Sequence, residues 1–360
     1  VSWLVALVVV LCAILGLRAW NISEYALTPG NATYVAPLVK IEGLATNPHT
    51  DKIMLTDVYL TSLSAWQRLT MEFQSHVEFV PAGDLVEPGV PSDELIPQGF
   101  LEMDDSKQAA EVAAFSALGW KVPATPTGAV VTGVVASSPA RRAGLSVADE
   151  IVAVNGAPVD SSCALVATLH LVEPGTLVRL GVKRASISSS GTITWASATT
   201  LDVTTASAPS GLGDSGCADV SGANRSWIGV SLEDGFSYRL PATVSINTAN
   251  IGGPSAGLAM TLTLIDELNR GSITAHRTIA ATGTISPDGS VGAVGGVAEK
   301  AVAVANAGGK VFFVPEANVA DAKSAKEPGL RIIGVKSLHQ VLRDLRDMGG
   351  ASLAPISKPG

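Results

Sequence analysis

The sequence predicts a multidomain chain: an N-terminal transmembrane helix, a β-rich region, a small β-barrel-like domain and a C-terminal α/β domain. Three observations lead there. The first residues, "VSWLVALVVVLCAILGL", carry no charge. From Trp120 to about Thr205 the pattern is one of short strands broken by turn residues. After residue 223, strand-like and helix-like apolar periods alternate. At 360 residues the chain has room for several cores.

Residues 1–20 form the expected anchor. The uncharged run reaches the lower bound for a spanning helix, roughly 17 residues. Arg18 and Trp20 follow it as interfacial residues. A secretory signal has a shorter apolar core and ends in small residues, and "LRAW" makes a poor cleavage site. The expected location is therefore the cell membrane, single-pass. The net charge of −8 and the lack of a Lys/Arg cluster exclude a nucleic-acid binder.

Residues 21–118 form the β-rich region. "YVAPLVKIEG" and "DKIMLTDVYL" read as strands, and the Pro- and Gly-rich residues 81–99 read as a loop. "MDDSKQAAEVAAFSALG" reads as a helix capped by Asp104 or Asp105 and ended by Gly119.

Residues 119–205 contain "SSPARRAGL", "DEIVAVNG" and "PGTLVRLGVKR". This stretch resembles a PDZ domain, a small sheet closed by a helix with a groove for an extended peptide. The resemblance puts the peptide-binding residues at Leu118, Gly119 and Trp120. Residues 206–222 are Gly-, Ser- and Ala-rich and read as linker. They include "GDSG" (213–216), similar to the serine motif of trypsin-like proteases. A linker does not hold a serine in attack geometry, and no matching histidine stretch lies upstream.

Residues 223–350 hold "ANIGGPSAGLAM", in which Ser255 opens a helix. Free N–H groups at a helix start can stabilise an oxyanion, and Gly252 and Gly253 let a substrate backbone approach. A plain helix cap or a phosphate loop would use the same residues. A nucleophilic serine needs a base. His276 lies in a polar loop, whereas Lys300 shares a helical face with the apolar Val297, Ala301 and Val304. Burial there would lower its pKa; a snorkelling surface lysine is the other reading.

"GGPSAGLAM" and "ATGTISPDGSVGAVGGVAEKAVAVANAGGKVFFVP" are similar to the proteolytic domain of Lon proteases. That resemblance implies a Ser255/Lys300 dyad, with Thr282 close to the lysine and Gly253, Pro254 and Ala256 in supporting places. Many Lon proteases carry Asp where Gly252 stands here. No Gly-x-x-x-x-Gly-Lys-[Ser/Thr] loop occurs in the sequence. The order of anchor, β region, PDZ and Lon-type domain resembles bacterial membrane-anchored PDZ-Lon proteins, with residues 351–360 as a tail.

The expectation is a membrane-anchored, ATP-independent serine endopeptidase that uses no cofactor or metal. Its bulk would lie outside the cytoplasm, acting on protein or peptide substrates, with room for a homo-oligomer. A catalytically inactive PDZ scaffold or regulatory membrane protein is the alternative. Among the cysteines, Cys163 and Cys217 pair if that compartment is oxidising and are otherwise isolated thiols.

Overall fold

The computed structural model describes residues 2–47, 52–87, 89–188, 191–209, 217 and 225–354. They form two compact units, one of residues 1–39, 44–85 and 255–360, the other of residues 40–43 and 86–254. The "GDSG" stretch and residues 355–360 of the tail lie outside the described residues.

The N-terminal helix, Ser2–Ala19, has a mean hydropathy of 2.3 and no buried residue, and it is long and apolar enough to cross a membrane.

The first unit is built on a six-stranded sheet. Its order is Arg331–Val335, Val311–Pro315, Thr278–Ala281, Lys52–Ser64, Asn21–Tyr34 and Glu78–Pro81. The first four strands are parallel and the last two alternate in direction. "VFFVP" is apolar throughout and buried throughout, as a parallel strand covered on both faces must be. All of the Gly257–Leu268 helix except Glu267 is buried. Its threonines remain satisfied because Thr261 and Thr263 donate to the Gly257 and Ala259 carbonyls at 2.8 and 2.9 Å.

This sheet cuts across the linear divisions 21–118 and 223–350 read from the sequence. The Thr278–Ala281 strand would expose an unpaired edge without a further neighbour. Residues 52–54 provide it, with Ile279 opposite Ile53 and Ala280 opposite Met54.

In the second unit the sheet order is Thr199–Thr204, Leu177–Lys183, Glu150–Val154, Ala124–Val134 and Val230–Tyr238. Two short helices, Pro139–Ala143 and Ser162–His170, start on serine caps. Ser138 accepts from Arg141 N–H at 3.0 Å and Ser161 from Ala164 N–H at 3.2 Å. Val131, Ile151, Leu165, Leu180 and Val182 fill the core between them. Cys163 and Cys217 form a disulfide with their Cα atoms 5.5 Å apart.

The helix expected to begin at Asp104 or Asp105 instead spans Leu95–Ala117, so both aspartates lie inside it. Pro97 falls in its first turn, where an N–H has no intrahelical acceptor, so this proline does not stop the helix.

Candidate active site

Ser255 sits in the 3-10 turn Pro254–Ala256 that leads into the buried Gly257–Leu268 helix. Its carbonyl is held twice, by the Thr282 hydroxyl at 3.1 Å and by the Gly283 N–H at 2.9 Å. The Gly283 carbonyl in turn accepts from Leu258 N–H at 3.2 Å. Thr282 is fully buried, and its own N–H is tied to the Phe313 carbonyl of the neighbouring strand at 3.0 Å. Gly283 adopts φ +135°, and a Cβ there would come within 2.9 Å of Val291. Only glycine fits that link between sheet and turn.

Lys300 occupies the first turn of the Val297–Asn306 helix, which starts after Gly296 in a left-handed conformation. Val297, Ala301 and Val304 are each wholly buried in one apolar cluster. Lys300 lies on that same face, only 3% exposed. Burial pushes its pKa down to about 8, while Asp57 and Glu299 pull the other way. The snorkelling alternative is thereby removed, because the stem and head are both covered. Asp57 stands at an irregularity in the pairing of Asn21–Tyr34 with Lys52–Ser64 and accepts from Asn31 N–H at 2.8 Å. Sequence reading had no signal for Asp57, since it lies on a strand more than two hundred residues from the lysine. Glu299 is also buried, and its Oε2 lacks a hydrogen-bond partner among the described residues.

Ser255, Thr282 and Lys300 all belong to the first unit. The residues just before them have a neighbour that the sequence did not reveal. Gly253 donates its N–H to the Gly99 carbonyl at 2.7 Å, and a Cβ on Gly252 would lie 3.1 Å from the Gly99 carbonyl carbon. The Gly99 backbone thus lies against Gly252, whereas a Cβ on Gly253 would meet nothing within 4 Å. Ala256 is buried at 1% exposure, and Pro254 accepts a hydrogen bond from Ser106 at 3.0 Å.

Leu118, Gly119 and Trp120 form the turn that ends the Leu95–Ala117 helix. Leu118 is buried, Gly119 takes φ +88°, and Trp120 donates its N–H to the Phe115 carbonyl at 2.9 Å. The strand that follows them, Ala124–Val134, is interior to its sheet, paired with Val230–Tyr238 on one side and with Glu150–Ile151 on the other. An extended peptide therefore has no free ladder beside Trp120. Val230–Tyr238 is one edge of the sheet, Thr199–Thr204 being the other, and it is entered through Ile228 and Gly229, the latter at φ +84°.

Comparison with known proteins finds two family matches along the chain. Residues 111–194 match the PDZ domain family, and residues 247–346 match the Lon protease (S16) C-terminal proteolytic domain. The chain thus carries a PDZ domain followed by a Lon-type proteolytic domain. It is 39% identical over 94 residues to the Lon protease of Rickettsia felis, a match covering 25% of this chain and 12% of that protein. It is 37% identical over 95 residues to Lon protease 1 of Myxococcus xanthus, covering 26% and 11%. The chain therefore spans about an eighth of these relatives' length. A PDZ domain of an SdrC-like protein from Listeria monocytogenes is 20% identical, with a TM-score of 0.20, over 29% of this chain and 86% of that one.

Proposed function

We propose that this chain is a membrane-anchored, ATP-independent serine endopeptidase with a Ser255/Lys300 dyad. The observation that carries the reading is Lys300 itself: a lysine buried on an apolar helix face, in the same compact unit as a serine whose turn is pinned by Thr282. A buried lysine with a lowered pKa reaches the neutral form that a general base requires.

In this mechanism the Ser255 Oγ attacks the peptide carbonyl and its proton passes to Lys300. Turn N–H groups hold the oxyanion, and Lys300 returns the proton to the leaving amine. Water then hydrolyses the acyl-enzyme with Lys300 again as base. Substrate capture falls to the PDZ sheet by strand addition at its Val230–Tyr238 edge, in place of the expected Leu118, Gly119 and Trp120.

The apolar Ser2–Ala19 helix supports anchoring, and the Cys163–Cys217 disulfide supports an oxidising compartment for the body of the chain. Reaction of the purified protein with a fluorophosphonate tests the dyad. Wild type should label, while Ser255→Ala and Lys300→Arg should not. An unlabelled wild type would favour the non-catalytic PDZ scaffold.

A further inference from the structure

The Lys52–Ser64 strand reaches the same end of its sheet as Thr282. It runs parallel to Thr278–Ala281, with Lys52, Ile53 and Met54 opposite Thr278, Ile279 and Ala280. Carried on, that register sets Thr56 and Asp57 level with Thr282 and Gly283, the two residues that hold the Ser255 carbonyl. Lys300 comes to the same strand from the Val297–Asn306 helix. Its N–H donates to the Gly296 carbonyl at 3.0 Å, and a Cβ on Gly296 would lie 3.0 Å from Val58 Cγ1. The turn that carries the lysine is thus seated beside Asp57, and all of these residues belong to one compact unit.

The neighbouring strand fixes the carboxylate. Pairing of Asn21–Tyr34 with Lys52–Ser64 shifts between Pro29 and Ala32, which leaves Gly30 and Asn31 opposite Asp57. Asn31 donates its N–H to Asp57 Oδ1 at 2.8 Å, and a Cβ at position 30 would collide with that same oxygen. Glycine makes room for the carboxylate. The Asn31 side chain is tied in turn, donating Nδ2–H to the Tyr59 hydroxyl at 2.9 Å. A fixed anion near a buried amine acts by charge: desolvation favours the neutral amine, and the anion favours the ammonium. Asp57 and Glu299 both act on Lys300 in this sense, Asp57 the more strongly. Glu78 and Asp321, on the elements beyond, bear on the Glu299 side.

We propose that Asp57 is a positioning residue for proton transfer, a strand carboxylate that steadies the Lys300 ammonium formed when the lysine takes the Ser255 proton. The proposal rests on the serine peptidase reading above. In that step the Ser255 O–H bond breaks and its proton joins the lone pair of Lys300 Nζ. The serine oxygen bonds to the substrate carbonyl carbon, whose π pair moves onto the substrate oxygen. Asp57 exchanges no proton.

The test is the pH profile of the second-order rate of fluorophosphonate labelling. Asp57→Asn keeps the shape and the acceptor for the Asn31 N–H and removes the charge. Lys300 should then lose its proton more readily, moving the midpoint about one pH unit to the acid side. The plateau rate should fall about threefold, because the base is weaker. Asp57→Ser, a second neutral acceptor, should move the midpoint the same way. A folding readout stands apart from catalysis. At pH 7, Asp57→Asn should lower the melting temperature of the wild type by about 3 °C and leave that of Lys300→Met unchanged, since no ammonium remains there to be stabilised. A wild-type midpoint in both neutral variants would overturn the proposal, as would equal losses of melting temperature in the two backgrounds. A wild type that does not label through Ser255 would instead overturn the peptidase reading, and the melting comparison would still decide whether Asp57 steadies the ammonium.

Discussion

The Thr282 hydroxyl donates to the main-chain carbonyl of Ser255 at 3.1 Å, joining the end of a buried strand to the turn that carries the proposed nucleophile. The resemblance to Lon proteases suggested a place beside the lysine; the bond found is to the serine's backbone. Thr282→Val keeps the shape and removes the donor, leaving the carbonyl to Gly283. We expect a stability loss of about 1 kcal/mol and a fall in kcat of roughly tenfold, about 1.4 kcal/mol of barrier. Thr282→Ser should keep most activity. Equal kcat in the valine variant and wild type would remove Thr282 from the site.

As the proposed base, Lys300 should set the pH dependence of activity. Its pKa is about 8 in the folded protein against 10.5 in the free side chain, so activity should rise with pH through an ionisation near 8 and then level off. Lys300→Arg should be almost inactive at every pH, because a guanidinium stays protonated in this range. A flat profile between pH 6.5 and 9.5 would rule out the lysine as base.

The same shift bears on stability. A lysine whose folded pKa is lowered penalises folding fully below that value, and the penalty fades as pH rises from about 8 towards 10.5. Lys300→Met should therefore stabilise the protein at pH 7, by at most about 3 kcal/mol. Its advantage over wild type should shrink in alkaline melts. A methionine variant less stable than wild type at pH 7 would show that the lysine is paired rather than stranded.

The Cys163–Cys217 bond closes a loop with a sequence separation of 54 residues. Its reduction should cost about 2–4 kcal/mol and lower the melting temperature of the PDZ-containing unit. Cys163→Ser should melt like the reduced protein and be indifferent to reductant. Identical melts of wild type with and without reductant would mean that the bond contributes nothing.

Peptide capture at the Val230–Tyr238 edge is readable by amide exchange. Saturation with a peptide ligand should slow exchange along that strand and leave Leu118–Trp120 unaffected. Protection confined to the Leu118–Trp120 turn would return the groove to its sequence-based position.

Much of the site was legible along the chain, because its signals are local. The glycine-proline-serine turn before an apolar helix, and a lysine at i±3 and i±4 from Val297, Ala301 and Val304, both lie within one or two turns of sequence. That face left Lys300 either buried or snorkelling, and its 3% exposure in the folded chain decided for burial. The apolar run at the N-terminus was equally local. Tertiary structure alone decided what depends on distant segments meeting. Pairing of residues 52–54 with 278–280 draws the N-terminal strands into the sheet that carries Thr282, and hydrophobic period does not specify which strands become neighbours. Val230–Tyr238 completes the PDZ sheet from beyond the linker and takes the ladder beside Ala124–Val134. The helix start at Leu95 was hidden by Pro97 and Gly99, residues that read as loop until their backbone partners are known. Gly99 meets Gly253 through main-chain atoms, which all residues share and which leave no mark on composition.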